Sequence, residues 1–349
     1  SLNFAYHFPE YRKSQVELLS LVVFALIKAK DVRHAALAER FPGDAKTDSV
    51  IRRIERFFDQ HPLCPADVAR FLLQLLPDPK QREFIIDRTN WKLGGQDVNI
   101  LVLAVIWRGV AIPLLFEFLD HSGNSNAATR LLILEDALQI LHCQDIFTLY
   151  GDREFIGQDW VDGLIDQGIP VTIRIRYTTS IDGLPGSEWL SDLQPGAVGV
   201  LLDDVEVFGS PMNVVGTFTT DGETLLVASN AMKSHKILKA YRKRWKIECL
   251  FRALKSKGFQ LENTHMTLHD HLERLLCVLT LAYVWCILVG LQQSVRLKTH
   301  GRRAWSVITL GLRELVRAWS QPEKQREVQI LAFIDLFSPS QTGFLETVG

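Results

Sequence analysis

The sequence predicts an α/β protein in which a mixed β-sheet carries helices on its faces. Three observations predict this class. Between residues 83 and 177, short β-branched and apolar runs alternate with helical patterns. The first 80 residues contain strongly apolar helical patterns without strand signals. A strand-rich stretch punctuated by Gly and Pro covers 178–230, and it predicts an all-β insertion in the α/β part.

The length of the chain predicts more than one domain. With 349 residues, of which 47% are hydrophobic, it can bury two or three cores. We predict a helical domain at 1–80, an α/β domain formed by 81–177 and 231–292, the β-rich insertion at 178–230, and a C-terminal helical region at 293–349.

Two helices with a break between them are predicted in the N-terminal part. The segment "PGDAKTD" is typical of a turn, and Thr47 or Asp48 can cap the helix that follows it. That helix has one apolar stripe, and three arginines lie off the stripe, namely Arg52, Arg53 and Arg56. They fit a helix-turn-helix-like contact with DNA or simply a solvated helix face.

The α/β part begins with the run "FIIDRT", a predicted strand. Two apolar runs around Arg108 and Gly109 predict a hairpin, and "AATRLLILEDALQIL" predicts a helix. A strand in "DIFTLYGD", a short helix and a strand in "IPVTIRIRYT" follow. In a sheet of this order the first strand and the strand after the first helix are neighbours.

An uncharged run of 17 residues, 275–291, is at the lower limit of what spans a bilayer. Because the charged "DHLER" precedes it and the polar "QQS" follows it, we interpret it as a buried core helix and expect no membrane association.

The five cysteines predict reduced thiols. They are odd in number and show no C-x-x-C spacing, which favours a cytoplasmic protein over a disulfide framework or a zinc site. No signal peptide is visible, and because position 1 is Ser we expect the chain to lack its natural start.

Charge is distributed unevenly along the chain. The totals, 39 Lys and Arg against 40 Asp and Glu, are nearly balanced. From Lys233 to Lys257, however, ten basic residues surround a single acidic one, Glu248. From Tyr177 to Met232 there are eight acidic residues and neither Lys nor Arg. A net charge of +9 over 25 residues favours a polyanionic partner for the basic segment.

Helical geometry gives the lone carboxylate a candidate role. At about 100° per residue, five side chains fall within an arc of roughly 80° on an α-helix, namely Tyr241, Arg244, Glu248, Arg252 and Lys255. A carboxylate in such a basic face stays ionised, so it can hold a divalent cation while its neighbours bind phosphates. The alternative is a surface helix with an ordinary ion pair between Glu248 and Arg244 or Arg252.

Metal-assisted phosphoryl transfer needs further carboxylates, and two lie on predicted strands. Asp87 is inside the first strand, where an unpaired charge is costly, and Asp152 ends the neighbouring strand. We therefore expect these two aspartates to lie side by side. Four other acidic residues fall in helix starts or loops and are interpreted as caps or solvated residues: Asp97, Asp145, Glu154 and Asp159.

Taken together, "IIDRTNW", "YGDREFIG" and the basic helix resemble the DDE transposases of the insertion-sequence-four family. The signature of that family is Tyr, two residues, Arg, three residues, Glu, six residues, Lys. Tyr241, Arg244, Glu248 and Lys255 match it at all four positions. The resemblance extends from about residue 30 to 290.

The resemblance implies a ribonuclease H-like catalytic domain, with Asp87, Asp152 and Glu248 as the catalytic and metal-binding triad. It implies two Mg²⁺ ions per active site, with Mn²⁺ as a substitute. Tyr241, Arg244 and Lys255 then bind phosphates at the transposon end, and Arg252, Lys246 and the three arginines of the N-terminal helix are further DNA-binding candidates. The implied reaction is cutting at terminal inverted repeats by a DNA-bound homodimer, through a hairpin intermediate, and joining to target DNA in a bacterial cytoplasm.

The β insertion departs from the family pattern. Relatives use an aromatic residue on the strand before the Glu helix to receive a flipped base, but this chain has Thr224 there. Trp189 and Phe218 are substitutes, although ordinary packing also explains them. Two alternative functions stay open: a structure-specific nuclease of the same fold, which cuts but does not join, and a domesticated DNA-binding protein without catalysis.

Overall fold

A computed structural model describes residues 4–76, 80–93, 96–191, 194, 196, 198–218, 223–294, 297, 299 and 304–337. The chain forms two compact units. The helical unit consists of Ser1–Pro77, Trp91–Gln96 and Leu250–Gly349, and the sheet unit consists of Asp78–Asn90 and Asp97–Cys249.

In chain order the helices are α1 (Phe4–His7), α2 (Lys13–Ala29), α3 (His34–Ala38), α4 (Thr47–Gln60), α5 (Pro65–Leu75), α6 (Ala127–Leu138), α7 (Gln158–Asp166), α8 (Gly186–Trp189), α9 (Ser234–Tyr241), α10 (Lys246–Arg252), α11 (His269–Leu291), α12 (Val307–Trp319) and α13 (Glu323–Asp335). The strands are β1 (Arg82–Leu93), β2 (Gln96–Trp107), β3 (Val110–Phe118), β4 (Ile146–Gly151), β5 (Val171–Ile175), β6 (Ser180–Ile181), β7 (Leu184–Pro185), β8 (Val198–Val207), β9 (Ser210–Phe218) and β10 (Thr224–Ser229).

The sheet unit is built on one eight-stranded mixed sheet with the order β3-β2-β1-β4-β5-β10-β9-β8. β1, β4 and β5 pair in parallel, while the β2–β3 pair and the pairs made by β10 and β9 are antiparallel. The predicted mixed sheet with flanking helices is therefore confirmed. The predicted neighbourhood of β1 and β4, on which the pairing of the two aspartates depends, is present.

The β-rich segment 178–230 extends this sheet. Its strand β10 pairs with β5, and β9 and β8 follow outward. A row of buried hydroxyl groups crosses this junction: Thr172 Oγ1 lies 2.8 Å from both Thr148 Oγ1 on β4 and Ser229 Oγ on β10. Because each hydroxyl can both donate and accept, the row satisfies three buried polar groups and aligns the strands.

The predicted hairpin is also present. Its turn places Arg108 at φ 46° and Gly109 at φ 77°, which are the left-handed angles that a two-residue hairpin loop requires. The helix predicted after it is α6, and Asn126 caps it by accepting a hydrogen bond from the Thr129 N–H at 2.8 Å.

The helical unit has α11 as its central element, packed against α2, α4, α5 and α12. By length and composition α11 could cross a bilayer, but 89% of its most apolar window is buried in protein, as predicted for a core helix. At Gly311 of α12 an added Cβ would collide with the Cys286 carbonyl oxygen of α11, so glycine permits the close approach of these helices. All five cysteines are free thiols.

The segment 241–257 is not one continuous α-helix, and this corrects the prediction. α9 ends at Tyr241, Arg242–Trp245 form a 3₁₀ turn, α10 follows, and Ala253–Lys257 form a π-helical turn. The 3₁₀ turn coincides with side chains that are tied to the sheet, namely Lys243 to Glu83 and Arg244 to Asp87. These non-local contacts favour a local departure from α-geometry, so the 100° spacing does not run through the whole segment.

Candidate active site

Asp87 and Asp152 lie at the same level on adjacent parallel strands. Ile85 of β1 is opposite Tyr150 of β4. Asp87 comes two residues after Ile85, and Asp152 comes two residues after Tyr150. Asp87 is still inside β1, whereas Asp152 directly follows the end of β4. Parallel pairing therefore brings the two carboxylates to the same edge of the sheet.

The ionised form of Asp87 is subject to opposing effects of burial and of neighbouring groups. Its side chain is only 17% exposed, and burial is the largest influence that raises its pKa, to about 6. The Arg244 guanidinium and the Arg88 N–H, which donates to Asp87 Oδ1 at 2.8 Å, act in the opposite direction, while the negative charges of Asp152 and Glu154 add to the rise in pKa. Asp152 is thus close enough to repel Asp87 electrostatically.

Arg244 joins Asp87 to Glu248. Its Nη1 donates to Asp87 Oδ2 at 3.0 Å and its Nη2 donates to Glu248 Oε1 at 2.7 Å. The Arg244 side chain is 14% exposed and that of Glu248 is 31% exposed. Burial alone lowers the arginine pKa, but the neighbouring Tyr241, Asp87, Asp152 and Glu248 outweigh it and raise the pKa. One guanidinium therefore holds two members of the predicted triad.

Tyr241 supports the position of Asp152 through a hydrogen bond to the backbone. The tyrosine is buried, and its hydroxyl donates to the carbonyl oxygen of Gly151 at 3.2 Å, one residue before Asp152. Burial raises the pKa of the hydroxyl, so it stays a protonated donor. A phosphate contact was expected for Tyr241, but in this structure its hydroxyl holds the end of β4.

A second side-chain link ties the 3₁₀ turn to the sheet next to the site. Lys243 Nζ contacts the Glu83 carboxylate on β1 at 2.6 Å, and the Tyr150 hydroxyl of β4 donates to the same carboxylate at 2.6 Å. Glu83 therefore connects β1, β4 and the turn that precedes α10. This link orients the turn from which Arg244 extends.

Glu154 belongs to a buried network that sequence reasoning missed by treating it as a cap or solvated residue. Its carboxylate accepts from the Arg88 Nε at 3.2 Å and from the N–H and hydroxyl of Ser125 at 3.0 and 3.1 Å. Arg130 lies 3.9 Å away and also donates to Ser125 Oγ. The signal available in the sequence was its position two residues after Asp152, in "GDREF".

The other predicted phosphate contacts of the basic segment differ in exposure. In the helical unit, Lys255 is mostly buried, with Nζ 3.4 Å from Glu262 and 5.5 Å from the ring centre of Trp91. Burial lowers its pKa, and Glu262 opposes this. Arg252 is exposed and Lys246 half-buried on α10. Of these three side chains, Arg252 is the most accessible to a phosphate.

On α4, in the helical unit, the three predicted arginines are exposed: Arg52, Arg53 and Arg56. The opposite face of this helix buries Val50, Ile54, Phe57 and Phe58. The amphipathic pattern read from the sequence therefore describes α4 correctly. An exposed row of three guanidinium groups is compatible with a nucleic-acid contact and with a solvated face alike.

A cavity of about 680 Å³ opens beside Asp152 within the sheet unit. Arg153, Arg174, Arg176 and Tyr177 line it, together with Thr224. Tyr177 is 60% exposed. The predicted stacking residues are less available: Trp189 is half-buried and its indole N–H donates to the Ile181 carbonyl at 3.3 Å, and Phe218 is half-buried at the end of β9. Neither of them lines this cavity.

The acidic residues supply the kind of ligands that a metal ion needs but do not form a closed metal site. In the part of the chain that the structure describes, no three His, Cys, Asp or Glu side chains converge closely enough to hold a metal ion. The donor chemistry fits a hard divalent cation, because carboxylate oxygens are its preferred ligands and Asp87 and Asp152 repel each other on adjacent strands. Asp87 and Glu248 are instead connected through the guanidinium of Arg244, which forms an ion pair with each of them.

Residues 78–285 match the family described as the transposase DDE domain. No curated protein sequence matches the chain. Among solved structures, a piggyBac transposase synaptic complex with hairpin DNA is 10% identical, with a TM-score of 0.47, and the match covers 98% of this chain and 79% of that one. Endonuclease V from Bacillus subtilis is 12% identical, with a TM-score of 0.29, covering 69% and 94%. Neither likeness is strong enough to add to what the sheet itself shows.

Proposed function

We propose that this chain, which belongs to the transposase DDE domain family, cuts DNA at transposon ends by metal-dependent phosphoryl transfer and joins the freed 3′-hydroxyl to target DNA. One observation carries this proposal. Parallel pairing of β1 and β4 brings Asp87 and Asp152 to the same sheet edge, and Arg244 connects Asp87 to Glu248.

In this proposal Asp87, Asp152 and Glu248 hold two Mg²⁺ ions, and Mn²⁺ can replace them. Bound divalent cations supply electrostatic stabilisation of the attacking and leaving oxygens. The chain's own contribution is the placement of the carboxylates: β1 and β4 set two of them, and α10 presents the third. Burial of Asp87 by the protein strengthens its interaction with a cation, because charge interactions grow as water is excluded.

The surrounding side chains orient the site and meet the DNA. The Tyr241 hydroxyl fixes the backbone before Asp152, and the network of Glu154 fixes the backbone after it. Arg244, Arg252, Lys246 and Lys255 are proposed to contact phosphates, as are the α4 arginines, since each such contact adds sequence-independent affinity.

The partners proposed are double-stranded terminal inverted repeats and target DNA, bound by a homodimer in a bacterial cytoplasm, with a hairpin as the intermediate. A hairpin needs a place for an unpaired base. Trp189 and Phe218 are the candidates from the sequence, and Tyr177 is the candidate from the exposed cavity wall beside Asp152.

The test is a cleavage assay on a labelled duplex that carries the terminal repeats flanking the coding sequence, with Mg²⁺, Mn²⁺ or EDTA. Asp87→Asn, Asp152→Asn and Glu248→Gln should each abolish cutting while the variant still binds the duplex, because each removes a metal-ligating carboxylate and no phosphate contact. Glu135→Gln, at an exposed position of α6, is the matched control and should cut normally. Normal cutting by any one of the three triad variants removes that residue from the proposed site.

A structure-specific nuclease of the same fold is the second candidate, and product analysis separates it. Such an enzyme gives cut ends but no joined product when target plasmid is added, and it cuts junctions or flaps without needing terminal repeats. A catalytically silent DNA-binding protein gives retarded complexes and no cut product with any metal.

A further inference from the structure

Arg244 occupies the position where a cation between carboxylates would act. Its two terminal nitrogens donate to two different carboxylates, Asp87 at 3.0 Å and Glu248 at 2.7 Å. With an exposed fraction of 14%, the side chain is largely withdrawn from solvent. Among the residues that the structure describes, Arg244 is the basic side chain that forms ion pairs with the triad.

Each oxygen of Asp87 accepts a hydrogen bond in this arrangement. Oδ1 accepts from the Arg88 N–H at 2.8 Å, and Oδ2 accepts from Arg244. Glu248 Oε1 is likewise engaged by Arg244. A divalent cation bound between these two carboxylates would lie next to the guanidinium that now bridges them, and a guanidinium and a divalent cation cannot share one site without strong repulsion.

A DNA phosphate offers the guanidinium an alternative partner. Arginine binds phosphate through two parallel N–H···O bonds, as it binds carboxylate. Arg244 lies one turn before Glu248, so a phosphate at the edge of the site would compete with the carboxylates for it. When the guanidinium moves to the phosphate, Asp87 Oδ2 and Glu248 Oε1 become free for metal.

We propose that Arg244 is an exchangeable internal counter-cation: in the DNA-free protein it neutralises Asp87 and Glu248 and keeps metal affinity low, and a bound DNA phosphate draws it away so that metal can bind. Arg244 is thus a positioning residue that makes DNA binding and metal binding mutually favourable. By linkage, metal must strengthen DNA binding by the same factor. The inference rests on the proposed function in taking the triad as the metal site.

The first experiment measures metal affinity without DNA. The full chain is titrated with Mn²⁺ alone at mildly alkaline pH, and free Mn²⁺ is counted by electron paramagnetic resonance. Arg244→Gln should bind Mn²⁺ about ten-fold more tightly than the wild type, since the competing ion pairs are gone. Arg244→Lys, which keeps the charge but cannot bridge both carboxylates, should lie between the two.

Arg242→Gln is the matched control. It removes an exposed guanidinium from the same 3₁₀ turn, and among the described residues the ion pairs with the triad are made by Arg244, so Mn²⁺ affinity should stay at the wild-type value. Circular dichroism and a cooperative thermal transition establish that each variant is folded. Mn²⁺ binding by folded Arg244→Gln that is equal to or weaker than wild type overturns the proposal.

The second experiment measures the coupling. Anisotropy of a labelled random duplex of about 30 base pairs gives the DNA affinity in EDTA and in Mn²⁺ at matched ionic strength, with duplex integrity checked on a denaturing gel. The wild type should bind more tightly with Mn²⁺, and Arg244→Gln should lose this dependence. An equal Mn²⁺ dependence in both proteins overturns the proposal. Neither experiment reads cleavage, so a protein that binds as expected but never cuts refutes the proposed function alone.

Discussion

The hydroxyl of Tyr241 donates a hydrogen bond to the backbone carbonyl of Gly151, 3.2 Å away, and Gly151 directly precedes Asp152. A residue of the basic segment is therefore used to hold the strand end that carries a proposed catalytic carboxylate. Gly151 itself leaves no room: an added Cβ would lie 2.9 Å from the Cβ of Phe155 and 3.2 Å from Ile173 Cγ2. The backbone just before Asp152 is thus fixed by the hydrogen bond from Tyr241 and by the close packing around Gly151.

Tyr241→Phe should lower stability by about 1–3 kcal/mol, because a buried carbonyl loses its donor. DNA affinity and its salt dependence should be unchanged, while cleavage falls several-fold as Asp152 loses its fixed backbone. Urea unfolding and anisotropy across a salt series measure the two effects. Tyr177→Phe, at an exposed tyrosine, is the control for stability. Reduced DNA affinity with unchanged stability would instead identify Tyr241 as a phosphate contact.

Some of this arrangement follows from the sequence and some does not. The β-branched run around Asp87 and the run ending at Asp152 predict two strands, and the rule that a crossover returns to a neighbouring strand predicts their pairing. The break in the helix at Arg242–Trp245 is not visible in the sequence, because it coincides with ion pairs to β1 residues about 160 positions away. Periodicity reports only neighbours within a few turns.

Glu154 illustrates the same limit. Its main partners, Arg88 and Ser125, are 66 and 29 residues away in the chain. Local pattern alone therefore predicts a cap or a solvated residue, and only the fold shows that Glu154 connects β1, the loop before α6 and the segment after β4.

Glu154→Gln should destabilise the protein by about 1–3 kcal/mol, because it leaves Arg88 and Arg130 without their buried counter-charge. The expected result is a lower urea midpoint, together with a several-fold lower cleavage rate at temperatures where the variant is folded, because the backbone after Asp152 is then less fixed. Glu135→Gln on the exposed side of α6 provides the comparison. A variant of wild-type stability that fails to cut would place Glu154 in the catalytic site.

The double variant Arg52→Ala/Arg53→Ala tests whether α4 contacts DNA. If both side chains neutralise phosphates, the slope of log affinity against log salt should fall by about two, and affinity should drop for every duplex sequence. Anisotropy over a salt series measures the slope. Arg326→Ala, on α13, controls for the general loss of positive charge. A slope equal to that of the wild type means that α4 has a solvated face only.

Acid should destabilise the helical unit through His61. Burial is the main cause that lowers the pKa of this histidine, and the hydrogen bond with the Gln15 carbonyl opposes it. Its Nδ1 accepts from the Leu63 N–H at 3.1 Å, which requires the neutral ring. The unfolded chain therefore binds the proton more readily, so the stability contributed by His61 is complete above pH of about 6.5 and is lost as pH falls below it.

His61→Gln should accordingly have a lower melting temperature at neutral pH, where native packing is lost, but a weaker pH dependence between about pH 5 and 7. Differential scanning calorimetry over that range measures both. His235→Gln, at an exposed histidine, should leave the pH dependence as in the wild type. An unchanged pH profile in His61→Gln would assign the acid sensitivity to His7 and His34, whose pKa values burial also lowers.

The last prediction concerns the unpaired base that a hairpin intermediate would need to place. Tyr177 has an open ring beside Asp152 in a cavity that also holds the Arg153 and Arg176 side chains, whereas the Trp189 indole is anchored to a backbone carbonyl and Phe218 is half-buried. Stacking on one base contributes about 1–3 kcal/mol, so Tyr177→Ala should lower the yield of hairpin relative to nicked product by roughly ten-fold or more. Tyr177→Phe keeps the ring and should restore the wild-type yield of hairpin.

Trp189→Ala and Phe218→Ala, assayed in parallel for nicked, hairpin and fully cut product, should give wild-type proportions after correction for folded fraction. A hairpin defect confined to Trp189→Ala or Phe218→Ala would return the stacking role to the β insertion, and wild-type proportions in all three alanine variants would show that none of these rings receives a base.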